Sequence, residues 1–215
     1  MSAEAGRLQP GKAPGGLLLF DFDGVLVESL DVYERVVKKA LARIGSPIVE
    51  SREDFLALFD GNFYESLAQK GVDVQVLARA IRMAPKDHAQ IRAHAAMTPV
   101  LQALHEKRVL AVLSSNAART IEKALARFGW DGCFDRVLGS EAGFSKTEKF
   151  GRALALYEMK PEEVYYVCDT VGDIREARDA GIRTVAVTWG WHSRERLAAA
   201  HPDRLIDVPE KLLAL

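Results

Sequence analysis

Several protein classes are excluded by what this chain has little of. Of its 215 residues only two are cysteine, Cys133 and Cys168, and five are histidine. Two distant cysteines lay down no disulfide framework, and so few soft donors argue against a structural zinc site. They suit a reducing, cytoplasmic setting. Basic surplus is missing too: 29 Lys and Arg against 30 Asp and Glu leave a formal net charge of -1. A nucleic-acid surface needs a basic excess or stripe, so none is expected. No run approaches the roughly 18 apolar residues of a membrane-spanning helix. The first sixteen residues, MSAEAGRLQPGKAPGG, carry no apolar stretch of the signal-peptide kind and read as a flexible tail. No internal repeat or low-complexity segment stands out.

Material for a core is ample, with 48% of residues hydrophobic. The run LLLFDF reads as a strand over 17–22 of buried, parallel-sheet character. From Leu30 to about Met97 no convincing strand is found. Val32, Val36, Val37, Ala40, Leu41 and Ile44 recur at helical spacing, and Gly45 stands where that helix should stop. Ser51 precedes a short helix reaching Phe59. Asn62 followed by Glu65 resembles a capping box, and Asp73 caps a fourth helix with Val74, Leu77, Ala78 and Ile81 on one face. Pro85 bends or ends it.

After residue 97 the pattern alternates. Helices are expected over 99–106, 117–128, 149–157 and 174–180, and after Ser193. Strands are expected over 109–113, 137–139, 164–168 and 184–187, with a short extended piece at Leu205 and Ile206. Such alternation predicts an α/β fold: a doubly wound, Rossmann-like parallel sheet with an inserted all-helical cap. The divisions are a tail over 1–16, an α/β core over 17–29 and 97–215, and a cap over 30–96. Linkers are expected near Glu28 to Asp31 and Ala95 to Pro99.

In a sheet of this kind, sites gather beyond the carboxyl ends of the strands. The first strand ends in Asp21-Phe22-Asp23, another in Ser114-Ser115-Asn116, and a third in Asp169-Thr170-Val171-Gly172-Asp173. Lys146, in the loop Gly143-Phe144-Ser145-Lys146, adds a positive charge. Converging carboxylates repel unless a cation compensates, and Mg²⁺ prefers such hard oxygen ligands. A phosphate ester suits the site, because its anionic oxygens can take a metal coordination position. Ser114, neighbouring N–H groups and Lys146 would bind the phosphoryl oxygens. One aspartate of the opening pair can attack phosphorus, and the other can protonate the leaving alkoxide. Spacing alone does not say which does which.

These motifs, FDFDGVLVES, LSSN, Lys146 and CDTVGDI, resemble those of the haloacid dehalogenase-like hydrolase superfamily, specifically its phosphoglycolate phosphatase-like members with a helical cap. The resemblance covers nearly all of the chain after residue 16. It implies that Asp21 is the nucleophile and Asp23 the general acid/base, with Ser114 and Lys146 binding the phosphoryl group. It also implies that Asp21, the main-chain carbonyl of Asp23 and Asp169 hold Mg²⁺, with Asp173 a direct or water-mediated partner. Glu28 and Cys168 depart from residues common in the family, without removing a catalytic carboxylate. Retention of Asp23 argues against the branch that cleaves carbon–halogen bonds.

The implied activity is Mg²⁺-dependent hydrolysis of a small phosphomonoester, phosphoglycolate-like or a sugar phosphate, with no membrane or nucleic-acid partner. A phosphomutase would share every core residue, and a non-catalytic phosphate-binding or regulatory protein is the alternative of a different class. For substrate contacts the candidates are Ser114, Ser115, Asn116 and Lys146 in the core and Asn62 and Phe63 in the cap. Asn116 also reads as a helix cap, Asn62 as a cap and Phe63 as cap core. Arg52 is a candidate for a distal anionic group. Arg82, Lys86, His88 and Arg92 form a basic stripe that reads as a solvated face, and Trp189 and Trp191 as packing beside the site.

Overall fold

A computed structural model describes residues 16–84, 90–143 and 145–215. The tail over 1–15, Pro85, the stripe residues Lys86 and His88, and Phe144 lie outside the described residues. The main sheet has six strands: β1 Leu17–Phe20, β4 Val109–Leu113, β5 Arg136–Leu138, β6 Val164–Cys168, β7 Arg183–Val187 and β8 Arg204–Ile206. Their order is β5-β4-β1-β6-β7-β8, and every pairing is parallel.

All four residues of β1 are buried, because this central strand is covered on both faces. Leu18 and Phe20 pack on one side with α5 (Met97–His105) and α6 (Ala118–Phe128), while Leu17 and Leu19 pack on the other with α7 (Lys146–Tyr157) and α8 (Val171–Asp179). The period-two alternation of a strand thus feeds two cores from one apolar run. Burying side chains of this size contributes about 1.5–3 kcal/mol each. A further helix, α9 (Arg194–Ala199), places Leu197 in the second core. From β1 the chain runs to β4 and β5 on one side, then returns to β6 on the other. The strand order therefore reverses at β1, which is where a crevice opens.

The inserted segment forms α1 Leu30–Arg43, α2 Arg52–Ala57, α3 Phe63–Gln69 and α4 Val74–Met83 around an apolar cluster of its own. Ser51 and Asp54 make a reciprocal capping box at α2. Asn62 caps α3 by accepting from the N–H groups of Tyr64 and Glu65, and Asp73 caps α4 from Gln75 and Val76. Trp191, on the core loop after β7, is buried in the cap's cluster beside Phe55 and Phe59.

The expectation of no strand between Leu30 and Met97 is corrected by a short ribbon. β2 (Val27–Glu28) pairs antiparallel with β3 (Arg92–Ala93), matching Val27 with Ala93 and Glu28 with Arg92. Two residues are too few to show a period, so only their pairing reveals them. The ribbon joins the two crossings between core and cap. It also takes Arg92 off any helix, so Arg82 and Arg92 do not share one helical face.

Candidate active site

The carboxyl end of β1 carries the opening aspartates. Asp21 stays in the sheet, its N–H donating to the Val167 carbonyl at 2.9 Å. The chain then turns at Gly24, with φ +76° and no room for a side chain, since a Cβ there would lie 1.9 Å from Asp169 Oδ2. Glycine meets both demands. The turn separates the two aspartates into different environments. Asp21 is buried, its Oδ1 accepting from the Phe22 N–H at 2.8 Å and its Oδ2 from Lys146 Nζ at 2.7 Å. Asp23 is half-buried and accepts from the Asn116 side-chain amide at 2.5 Å.

Lys146 is the first residue of α7, not part of a loop, because Ser145 caps that helix by accepting from the Glu148 N–H. Its buried ammonium reaches Asp21 at 2.7 Å, Asp173 at 2.6 Å and the Tyr166 hydroxyl at 2.6 Å. Burial alone would lower its pKa, but Asp173 and Asp21 outweigh that and raise it. Asp169 follows β6, and its Oδ2 accepts from the Trp191 N–H at 2.7 Å. Thr170 caps α8 through the Asp173 N–H, which puts Asp173 in the first turn of that helix.

Asp21, Asp169 and Asp173 each offer an oxygen within 4.8 Å of the others. Burial pushes Asp21 up to about 8 against the pull of Lys146, with Asp173 and Asp23 adding to the rise, and it holds Asp169 well above the usual carboxylate range. Asp169 Oδ1 and Asp173 Oδ2 are buried without a hydrogen-bond partner. Unsatisfied buried carboxylate oxygens are expensive, and a divalent cation removes the cost. An all-oxygen donor set suits a hard ion such as Mg²⁺. The residues present therefore fit the group.

The remaining sequence candidates fall around this cluster. Asp21, Asp23, Ser114, Ser115, Lys146, Asp169 and Asp173 line one cavity of about 50 Å³, together with Asn62, Phe63 and Tyr64 from the cap. Ser114 is buried, and its hydroxyl accepts from the Asn116 N–H at 3.1 Å. Asn116 is not a helix cap: Ala117 takes that position at α6, and the Asn116 amide is spent on Asp23. Asn62 caps α3 with its oxygen and donates its amide to Glu176 at 3.2 Å. Phe63 borders the cavity and also stacks on Phe59 in the cap core, with ring centroids 5.0 Å apart. Arg52 is corrected as a contact for a distal group. It pairs with Asp31 and, at 2.9 Å, with Glu34, and it lines a separate cleft of about 1150 Å³ beside the ribbon.

Three residues of the site escaped the sequence reading. Glu176 accepts from the Lys146 backbone N–H at 3.0 Å and from Asn62, so it joins core and cap. Lys149 is fully buried and donates to the Ser114 carbonyl at 2.7 Å; burial, then the charge of Lys146, lowers its pKa to about 8. Each lies three residues past a recognised site residue, a spacing that shares a helix face and was the available signal. His192 accepts at Nδ1 from the Val171 N–H at 3.1 Å, and its Nε2 lies 3.0 Å from the Leu56 carbonyl in the cap. Nothing local in the sequence marks it.

Comparison with known proteins agrees with this geometry. Among the described residues no helix is long and apolar enough to cross a membrane. The phosphoglycolate phosphatase of Synechococcus elongatus is 29% identical over 201 residues, covering 91% of this chain and 94% of that protein. The pyrophosphatase PpaX of Anoxybacillus flavithermus is 28% identical over 208 residues, covering 92% and 95%. In three dimensions the fold is shared with a haloacid dehalogenase-like family hydrolase of Streptococcus pneumoniae, at TM-score 0.75 and 21% identity, with 93% and 97% of the two chains covered. The family described as haloacid dehalogenase-like hydrolase matches residues 18–187. That match runs from β1 to the end of β7 and takes in Asp21, Asp23, Ser114, Lys146, Asp169 and Asp173, so the chain belongs to the haloacid dehalogenase-like hydrolases.

Proposed function

We propose that this protein is a Mg²⁺-dependent phosphatase that hydrolyses a small phosphomonoester through an aspartyl-phosphate. One observation carries the reading: a buried cluster of three carboxylates with two unsatisfied oxygens, bridged by a lysine, beside an aspartate held apart from it. Relatives along almost the whole chain are a phosphoglycolate phosphatase and a pyrophosphatase, which supports phosphoryl chemistry.

In this reading Asp21 attacks phosphorus. Its backbone is locked in the sheet, so little reorganisation precedes attack. Lys146 and the Ser114 hydroxyl bind the phosphoryl oxygens, and Lys149, through the Ser114 carbonyl, steadies the loop that presents that hydroxyl. Asp23, oriented by Asn116, gives its proton to the leaving alkoxide and then takes one from the attacking water. Asp21, Asp169 and Asp173, with the main-chain carbonyl of Asp23, would hold Mg²⁺. When bound, the ion would neutralise the carboxylates and the phosphoryl oxygens and favour an ionised Asp21 against the burial, and then the Asp173 charge, that raise its pKa. Tyr64, Asn62 and Phe63 close the cavity from the cap and keep bulk water from the intermediate.

The substrate is a small phosphorylated metabolite, and the buried free thiols of Cys133 and Cys168 support a cytoplasmic location. Released phosphate, measured over a panel of phosphomonoesters with and without Mg²⁺, tests the proposal. Mg²⁺-dependent release from at least one small ester is expected. Folded protein that releases none, or that isomerises a sugar phosphate without release, would overturn it.

A further inference from the structure

Lys149 lies three residues past Lys146 on α7, fully buried, and its ammonium donates to the Ser114 carbonyl at 2.7 Å. The two lysines are differently employed. Lys146 is bridged to Asp21 and Asp173, whereas Lys149 makes no ion pair among the described residues. An ammonium has three N–H donors to satisfy, and the carbonyl answers one of them. Burying a charge with so little compensation is expensive, and an apolar side chain of similar volume would pack there at lower cost. Fold stability therefore does not account for a lysine at this position.

The carbonyl it holds belongs to the peptide that joins Ser114 to Ser115. That peptide is trans, so its N–H points away from its C=O and hence away from Lys149. Ser115 borders the catalytic cavity, and its N–H has no acceptor among the described residues. By contrast, the Ser114 N–H is taken by the Leu138 carbonyl and the Asn116 N–H by the Ser114 hydroxyl. A cation on a peptide oxygen draws electron density from the nitrogen and makes the N–H a stronger donor. One buried lysine thus reaches, through a single peptide, a free donor at the phosphoryl site.

We infer that Lys149 is a positioning residue whose charge, carried through the Ser114–Ser115 peptide, strengthens the Ser115 N–H as a donor to a phosphoryl dianion. This rests on the phosphatase reading above and goes beyond steadying the loop, which a neutral hydrogen bond would do equally well. The groups facing Lys149 set when it is charged. Burial, then Lys146, lowers its pKa to about 8, against the pull of Asp21, Glu176 and Asp173. The lysine is charged below that value and neutral above it, so the effect should fade as pH rises through about 8.

The test separates the charge from the hydrogen bond. Lys149→Gln keeps an amide donor for the carbonyl without the charge, and Lys149→Met removes both. Sulfate binding by calorimetry, phosphate release and thermal melting are measured with Mg²⁺ at pH values on either side of 8. Sulfate stays a dianion throughout, so a change with pH belongs to the protein. In the native protein, sulfate affinity and kcat/KM should both fall as pH rises past 8. Each variant should lower them about 10-fold below that pH, the gap between a charge-assisted and a neutral hydrogen bond, and should flatten the decline. Lys149→Met should also melt no lower than the native protein, the reverse of what a purely structural lysine predicts. Sulfate affinity that depends on the Lys149 charge, without turnover of any ester, would uphold this inference and defeat the phosphatase reading. Full affinity and turnover in Lys149→Gln, whatever Lys149→Met does to folding, would reduce the lysine to a hydrogen bond and overturn it. So would a native protein that binds no sulfate, or an alkaline decline that survives in both variants.

Discussion

Lys146 in the core and Arg196 at the seam with the cap each join two acidic side chains, in very different surroundings. Lys146 and its partners Asp21 and Asp173 are 8%, 10% and 8% exposed at their side chains. Arg196 is 23% exposed, and its partners Asp60 and Glu53 are 44% and 78% exposed. Buried charges feel one another with little screening, whereas solvent and salt weaken the exposed set. The core cluster is therefore rigid, costly and sensitive to any unpaired charge. The seam is held by contacts that can break and re-form.

Other contacts cross the same seam, one from an exposed side chain and one from a buried backbone N–H. The Arg175 guanidinium donates to the Asp60 carbonyl at 2.6 Å, and the Gly172 N–H donates to the Phe59 carbonyl at 2.8 Å. A Cβ at position 172 would meet the Gly61 carbonyl at 2.2 Å, so glycine lets the cap settle directly on the start of α8. Together these contacts hold the turn between α2 and α3 over the site. A closed cap shields the reaction and an open one admits substrate.

The sharpest break in the comparison is expected inside the core. Asp21→Asn should lower phosphate release by about 10⁴-fold or more while leaving the circular dichroism spectrum unchanged. Retained turnover would remove Asp21 from the nucleophile role. Asp23→Asn should cost about 10²- to 10⁴-fold with an alkyl phosphate and much less with p-nitrophenyl phosphate, whose leaving group needs little protonation. Equal losses for both esters would count against the acid role.

Next in size is the effect of the cation on stability. Asp21 is pushed from its ordinary 3.8 to about 8, so between those values the metal-free folded protein holds more protons than the unfolded chain. Stability from this source is complete below the lower value and is lost as pH rises through the upper one. Mg²⁺ favours the ionised carboxylates and should reverse that trend. Thermal melts with Mg²⁺ or EDTA should show a larger Mg²⁺ increment near pH 8 than near pH 5, reaching about 2.7 kcal/mol at a hundredfold excess over Kd. An increment that shrinks with pH would exclude the carboxylates as ligands.

The smallest effect belongs to the seam. Asp60→Ala should change stability by less than about 1 kcal/mol and raise KM about two- to fivefold at low salt. The KM difference from the native protein should fade at high ionic strength. A loss as large as that of a core variant would show that the seam is not the weaker region.

The residues differ in how plainly their roles could be read. Asp21, Asp169 and Ser114 stand just past apolar runs, and parallel strands bring such ends to one edge of a sheet. Their meeting follows from local pattern and one topological rule. The start of α7 was misjudged by three residues, because Ser145 and not the later apolar residues sets it. Lys146 consequently sits on a helix, where Glu176 can accept from its backbone. Arg52 reads in the sequence as a contact for a distal anion and Arg82 as part of a solvated stripe, yet Arg52 is consumed by Asp31 and Glu34 while Arg82 lines a small cavity between cap and core.

By itself, then, the sequence determined the parallel α/β core, the helical insert and the strand ends where acidic chemistry gathers. It could do so because periodicity, caps and glycines act over a few residues. Only the tertiary structure decided that Asp23 is held by Asn116 and that Glu176 and His192 join core to cap. Those contacts link side chains far apart along the chain, and a helix's apolar face shows that something covers it without showing what.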